Sequence, residues 1–303
     1  MIVKAIETIL PPELLEDILA WLPSHQVLIM RRLSKGFNEL ISTENLARLV
    51  LIRNVCFGKS SSTEMSNITR EHDYLFFKAP KFFQHAYVDV CLKRFDGLVW
   101  GQWSEWIDHP LNFTLKYRLK DINATIPTAI STLANLKHLN LMRCGLIGPF
   151  PHEITLLENL EFLKLAHNEF NCSIPENIGN LKKLKRLFLQ ECHLTGKIPE
   201  SMGNMESIAQ LLLGRNLLTG SIPASLGRLK KLQILWLAKN RLEGKIPVEL
   251  FSLTRLSSLF LSENMLSGKI PLEILNLNFE YCELSENPEL SCDFDLSRTM
   301  IRI

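Results

Sequence analysis

The sequence has no long apolar run and no strong excess of charge of one sign. No window approaches the roughly 18 consecutive apolar residues of a membrane-spanning helix. The net charge is +2 over 303 residues, and lysine and arginine form no block, so we expect neither a nucleic-acid nor a membrane partner. Residues 1–21 carry several acidic side chains and lack the cleavage site of a secretory signal, so we expect the chain in the cytoplasm and/or the nucleus.

The sequence also lacks the residue patterns of metal sites, disulfide frameworks and active sites. Its seven cysteines are an odd number and form no Cys-x-x-Cys pair, which argues against zinc and a complete set of disulfides. Cys282 and Cys292 either pair or remain thiols inside a terminal cap, and we expect thiols. Because no nucleophile–base or phosphate-binding motif is present, we predict no catalytic residue, no metal, no cofactor and no enzyme activity.

What the sequence does have is a repeat of 24 residues. Prolines occur at this interval from Pro127 to Pro271 without one slip. The same interval separates the leucines of two columns, which begin at Leu139 and Leu141, and three residues after the second column comes Asn or Cys. Leucines two apart point to one side of a short strand, so both enter the core and the residue between them faces out. The Asn is placed to satisfy backbone groups where the chain turns.

The pattern L-x-x-L-x-L-x-x-N/C-x-L is that of leucine-rich repeats. The pattern L-x-G-x-I-P-x-x-L-G-x-L, over about residues 121–292, resembles the plant-specific subclass of leucine-rich repeats. We call the segment that leads from one strand back to the next the return leg. Because proline comes early in it, we expect 3-10 turns or short strands there in place of α-helix. We expect the frame to begin faintly at Leu115, Tyr117 and Ile122, and the last unit, with Cys282 and Leu284, to arrive one residue early.

Residues 10–54 predict three short amphipathic helices. Pro11, Pro12 and Glu13 precede a helix with leucine and isoleucine on one face, Pro23 ends it, and Ser34-Lys35-Gly36-Phe37 follows within the second. This segment resembles an F-box, which implies docking onto a Skp-type adaptor and, through it, a cullin. The residues that the resemblance assigns to this contact are Leu10, Pro11, Glu13, Leu14, Ile18, Leu22, Leu28, Ser34 and Phe37. The alternative is a helical cap packed on the repeats.

These patterns divide the chain into three parts. Residues 1–55 form the F-box-like unit, residues 56–112 a connecting helical module with the cap of the repeats, and residues 113–303 the repeat domain with its C-terminal cap. The expected fold class is therefore α/β: a short N-terminal three-helix F-box-like unit joined to a leucine-rich-repeat solenoid with a concave parallel β-sheet.

The residue between the two strand leucines predicts where a partner binds. In the first repeats it is Asn140 and Lys164, and in the next four it is large and apolar: Phe188, Leu212, Trp236 and Phe260. Charged columns flank this row, beginning at Lys137 on one side and Arg143 on the other. We predict that the four apolar residues, with Arg215 and Lys239, bind a target protein. The alternative is that they pack against one another along the sheet.

The F-box resemblance and the repeat face together lead to the hypothesis of a substrate receptor of a Skp–cullin–F-box ubiquitin ligase. One alternative is a binding scaffold unconnected to ubiquitination. The other is an extracellular recognition module whose sequence as given lacks its signal peptide.

Overall fold

The computed structural model describes residues 112–114, 125–126, 128–295 and 300–303. The chain divides into two units, of which the first contains residues 1–110 and 126–133 and the second residues 111–125 and 134–303. Of the first unit, the structure describes a 3-10 helix at Thr128–Thr132 with its neighbours. The predicted helices of residues 10–54 and the predicted module of residues 56–112 lie outside the described residues, apart from Asn112 at the end of the second range.

The described repeats share a parallel sheet, to which each repeat contributes one short strand. Its strands, numbered together with those of a second sheet, are β1 Asn112–Thr114, β2 His138–Asn140, β3 Phe162–Lys164, β4 Arg186–Phe188, β5 Gln210–Leu212, β7 Ile234–Trp236, β9 Ser258–Phe260, β11 Tyr281–Glu283 and β13 Ile301–Arg302. Within the described ranges these nine strands pair in chain order. From β2 to β9 each is offset by 24 residues, as Leu139 lies opposite Leu163 and Leu187. The predicted period is therefore the register of the sheet.

The two leucine columns of the repeat form the core of the sheet. All six leucines of the column that begins at Leu139 and all six of the column that begins at Leu141 are fully buried. Alternation along a strand of three residues sends the residue between them to the opposite side. Burial of each leucine contributes about 1.5–3 kcal/mol, and only stacked repeats achieve it.

The return leg of each repeat contains a 3-10 helix, as predicted. These helices are His152–Leu156, Glu176–Asn180, Glu200–Asn204, Ala224–Arg228, Val248–Ser252 and Leu272–Asn276. Each begins directly after a proline of the 24-residue series, whose extended backbone sets the entry to the turn. Neighbouring turns approach so closely that a Cβ on Gly203 would lie 2.4 Å from the carbonyl oxygen of Ser225. Glycine is required there for steric reasons.

A second, smaller parallel sheet connects the later repeats. Its four strands among the described residues are β6 Thr219–Gly220, β8 Arg241–Gly244, β10 Met265–Lys269 and β12 Glu289–Ser291. Single parallel bridges continue the same pairing in earlier repeats, such as Ser173 with Thr195. The short strands predicted as one possibility for the return leg are thus present beside the 3-10 helices.

Buried asparagines bind neighbouring repeats together. Asn168 accepts hydrogen bonds from the amides of Cys144 and Leu146, at 3.2 and 3.0 Å, and donates to the carbonyls of Leu141 and Leu165, at 2.9 and 2.6 Å. Asn216, Asn240, Asn264 and Asn287 occupy the same position in their repeats. The predicted role of the asparagine is confirmed.

The two ends of the sheet depart from the repeat in different ways. In β11 the step shortens to 23 residues, since Cys282 lies opposite Leu259, which confirms the early last unit. Cys282 and Cys292 are both free thiols. At the other end the predicted frame was wrong by two residues: Phe113, in place of Leu115, lies opposite Leu139. Leu115 and Tyr117 resemble the leucine columns in sequence, but the strand pairing does not follow them. An atypical end repeat need not keep the period.

Candidate protein-binding face

The side of the nine-stranded sheet away from the leucine core is the candidate site, and we call it the sheet face. On it, Phe188, Leu212, Trp236 and Phe260 lie in one row on adjacent strands. We call these four residues the apolar ridge. Lys164 precedes the ridge opposite Phe188, and Glu283 follows it opposite Phe260. The structure brings the predicted apolar residues together, while their role in binding stays a prediction.

The ridge faces outward, as predicted, but it is half-buried, because each aromatic ring has a neighbour on the same face. The ammonium of Lys164 lies 5.1 Å from the centre of the Phe188 ring, a cation–π contact. Phe260 stacks on Tyr281 with ring centres 6.4 Å apart. The Trp236 ring lies against Gly214, where an added Cβ would be 2.6 Å from Cε2 of the indole. Packing along the sheet therefore accounts for part of these contacts.

A second outward column lies beside the ridge and was missed in the sequence. It consists of the residues that precede the first inward residue of each strand, which is Leu in the first six and Cys282 in the last: His138, Phe162, Arg186, Gln210, Ile234, Ser258 and Tyr281. His138 and Phe162 meet edge to face with centres 4.3 Å apart, and Arg186 lies 5.1 Å above the Phe162 ring. Alternation along the strand would have identified this column, since it lies two residues from the ridge.

The flank beyond this column carries the predicted charges. Glu161 makes ion pairs with Lys185, at 2.5 Å, and with Lys137, at 3.9 Å. The hydrogen bond from Lys185 holds the pKa of Glu161 below its ordinary value. Burial lowers the pKa of the neighbouring His138, against the opposing effect of Glu161. Two lysines share one carboxylate here, so this flank has a positive excess beside β2, β3 and β4.

The opposite flank has an unusual backbone. Its residues all have a positive φ between 55° and 60°: Arg143, His167, Glu191, Arg215, Lys239, Glu263 and Glu286. Such a conformation costs about 1–2 kcal/mol for a residue with a Cβ. Glu191 contacts His167 at 2.9 Å and Arg215 at 3.3 Å, and Lys239 contacts Glu263 at 2.5 Å. The predicted binding residues Arg215 and Lys239 thus already have carboxylate partners, with which an acidic ligand would compete.

Between the ridge and this flank runs a row of mostly small side chains. From β3 to β11 its members are Ala166, Gln190, Gly214, Ala238, Ser262 and Ser285. We call this row the trough. Gln190 is nine-tenths buried. Among the residues that the structure describes, its Oε1 is the one buried side-chain oxygen or nitrogen without a hydrogen-bond partner. The trough was not predicted, because small residues in single repeats give no signal of their own.

The residues predicted to contact the adaptor lie outside the described part of the chain. Leu10, Pro11, Glu13, Leu14, Ile18, Leu22, Leu28, Ser34 and Phe37 stay predictions. Within the described ranges, no group of three or more His, Cys, Asp or Glu side chains is placed to hold a metal ion. None of the helices in those ranges is long and apolar enough to cross a membrane.

The fold is that of a leucine-rich-repeat solenoid. The family model of the leucine-rich repeat matches residues 159–181, 183–205, 231–253 and 255–277. The F-box domain model matches residues 8–49. The chain therefore contains an F-box domain and leucine-rich repeats, a combination of modules typical of protein-binding adaptors.

Solved structures support the repeat assignment. The Arabidopsis receptor kinase HAESA, solved with the peptide hormone IDA and the co-receptor SERK1, is 34% identical over 56% of this chain and 32% of its own, with a TM-score of 0.52. A TDR receptor is 32% identical over 55% of this chain and 29% of its own, with a TM-score of 0.53. The chain thus spans about a third of the length of these receptors. No curated protein matches it.

Proposed function

We propose that the chain is the substrate-recognition subunit of a Skp–cullin–F-box ubiquitin ligase. The observation that carries the proposal is the presence, in one chain, of an F-box domain at residues 8–49 and a sheet face with an apolar ridge. The F-box would bind a Skp-type adaptor and through it a cullin, and the sheet face would hold the target protein. The chain itself would do no chemistry, since its contribution is to bring target and transferring enzyme together. This function places it in the cytoplasm and/or the nucleus.

The sheet face supports the target-binding half of the proposal. Half-buried aromatic side chains surrounded by charged residues resemble the apolar centre and polar rim of protein interfaces. Trp236 and Phe260 are of the residue types that contribute most to binding energy. Arg215 and Lys239, exposed at the rim, would add orientation and association rate more than affinity.

A pull-down of the purified full-length chain with a Skp-type adaptor tests the adaptor-binding half. We expect the intact chain to bind and Leu14→Asp/Ile18→Asp to lose binding, because the charges enter the predicted apolar contact. The matched control is Leu156→Asp/Leu272→Asp, the same change at leucines of the repeats that are 56% and 60% exposed. Copurification of a cullin with the chain and the adaptor would then support the ligase. Loss of binding in the control as well, or no binding by the intact chain, would contradict the F-box function.

The second candidate is a recognition module unconnected to ubiquitination. The likeness to receptor ectodomains favours it, because one of these was solved with a bound peptide hormone. An extracellular version would carry glycan at Asn112 or Asn123, because each begins an Asn-x-Thr sequence, which is an acceptor for N-glycosylation. Mass spectrometry of the chain from its native host separates the candidates, since glycan there would contradict a cytoplasmic ligase subunit.

A further inference from the structure

The charge of the sheet face changes sign along the sheet. We call each strand together with its outward flanking residues a rung. The rungs of β2, β3 and β4 carry five cations and two anions, a net charge of +3. The cations are Lys137, Arg143, Lys164, Lys185 and Arg186, and the anions are Glu161 and Glu191. On the rungs of β9, β11 and β13, four anions stand against one cation, a net charge of −3: Glu263, Glu280, Glu283 and Glu286 against Arg302. The apolar ridge connects the two ends, from Phe188 in β4 to Phe260 in β9.

The trough places a row of mostly small side chains along this polarised face. Its side chains are small on both sides of Gln190, while the ridge stands on one flank and the positive-φ residues on the other. The six strands from β3 to β11, at about 4.8 Å a step, span about 24 Å. An extended segment rises about 3.3 Å per residue, so about seven residues would cross the trough.

Gln190 is a second, independent indication of a ligand in the trough. It follows the inward Leu189 and therefore lies on the sheet face, and its buried oxygen has no partner. A buried polar atom without a hydrogen bond costs about 1–3 kcal/mol. If the side chain of Gln190 turns outward, a backbone N–H of a segment in the trough can donate to this oxygen.

We propose that the sheet face binds an extended peptide segment with an apolar centre, acidic residues at one end and basic residues at the other. The acidic end would lie over the rungs of β2 to β4 and the basic end over those of β9 to β13. The apolar centre would pack on the ridge, with its backbone in the trough beside Gln190. The proposal rests on the proposed function in one respect, that the segment belongs to the target protein.

Three pools of fluorescent peptides test this polarity. Each pool has the same degenerate apolar centre, made from Leu, Ile, Val, Phe, Met and Trp. The ends are acidic and basic in the first pool, both acidic in the second and both basic in the third. We expect the full-length chain to bind the first pool about tenfold more tightly than the other two at low salt, because each of those places one end against like charge. The difference should shrink at high salt.

Charge-reversal variants place the preference on the named residues. Lys164→Glu/Arg186→Glu changes the net charge of the first end from +3 to −1, and should transfer the preference to the pool with two basic ends. Lys182→Glu/Lys183→Glu, the same change between the 3-10 helix and β4, is the matched control and should keep the original preference. Trp236→Ala should weaken all three pools, and circular dichroism verifies that each variant is folded.

The outcomes separate the peptide proposal from the proposed function. Equal binding of the three pools, no binding above that of Trp236→Ala, or an unchanged preference in Lys164→Glu/Arg186→Glu would overturn the polarity. Self-association that the same reversal abolishes would also overturn it, since the occupant would then be a second copy. The adaptor pull-down on the same preparation is independent, so the ligase can fail while the polarity holds, and the reverse.

Discussion

Replacement of Asn216 by alanine is the sharpest test of how the repeats hold together. Asn216 is 6% exposed. Its side chain accepts hydrogen bonds from the amides of Cys192 and Leu194, both at 3.0 Å, and donates to the carbonyls of Leu189 and Leu213, at 2.8 and 2.9 Å. Each bond contributes about 1 kcal/mol and its loss leaves a buried polar group unpaired. We therefore expect Asn216→Ala to lower the free energy of unfolding by about 4 kcal/mol.

Cys192 provides the internal control, because it occupies the same position one repeat earlier. Its thiol donates to the carbonyl of Leu165 at 3.2 Å, as the asparagine amide does in other repeats, but sulfur hydrogen bonds are weak. Cys192→Ala should therefore cost about 1–2 kcal/mol. Urea unfolding of the full-length chain, followed by circular dichroism, measures both changes. If Asn216→Ala costs less than about 1 kcal/mol, or no more than Cys192→Ala, the asparagines do not hold neighbouring repeats together.

Three further predictions concern the sheet face and the core. Gly214→Ala should cost about 1–3 kcal/mol, since its Cβ would lie 2.6 Å from the Trp236 ring; the cost should vanish in a Trp236→Ala background, and a persistent cost would contradict the contact. Glu286→Gly, at a φ of 58°, should raise the melting temperature, whereas Glu283→Gly in β11 should lower it; a fall in both would contradict the strain. Burial raises the pKa of three thiols to about 12, so iodoacetamide at pH 8 should modify them in urea but not in the native chain, as peptide mapping would show: Cys144, Cys192 and Cys282.

The repeat could be predicted because the residues that determine its structure are close in sequence and because its proline recurs seven times. Proline, two leucines and asparagine at fixed spacing determine the 3-10 turn, the inward side of the strand and the hydrogen bonds of the turn within each repeat. The pairing of Leu163 with Leu187 then follows, because neighbouring copies bury their apolar sides against each other. Even the early arrival of Cys282 was evident from a change of one residue in the period.

The strand pairing at the end of the sheet, the burial of Trp236 and the trough could not be predicted in the same way. The pairing of Phe113 with Leu139 depends on an end repeat, which has one neighbour and follows no period. The burial of Trp236 depends on the absence of a side chain at Gly214, one strand away, and the contact appears when both positions are placed in space. The trough likewise exists between repeats: Ala166 or Ser262 alone does not indicate it.

The charges of the sheet face are better explained by a ligand than by the fold. Core positions repeat one residue type, whereas the position of the ridge changes from Asn140 to Glu283 along the sheet. Glu263 and Glu286 follow neighbouring strands, as the hydrogen bond from the backbone amide of Asn264 to the carbonyl of Glu286 shows. Like charges so placed repel each other. Among the described acidic residues of these rungs, only Glu263 forms an ion pair, with Lys239 at 2.5 Å. A basic ligand end would offset this repulsion, which is why the acidic rungs argue for a partner of opposite charge.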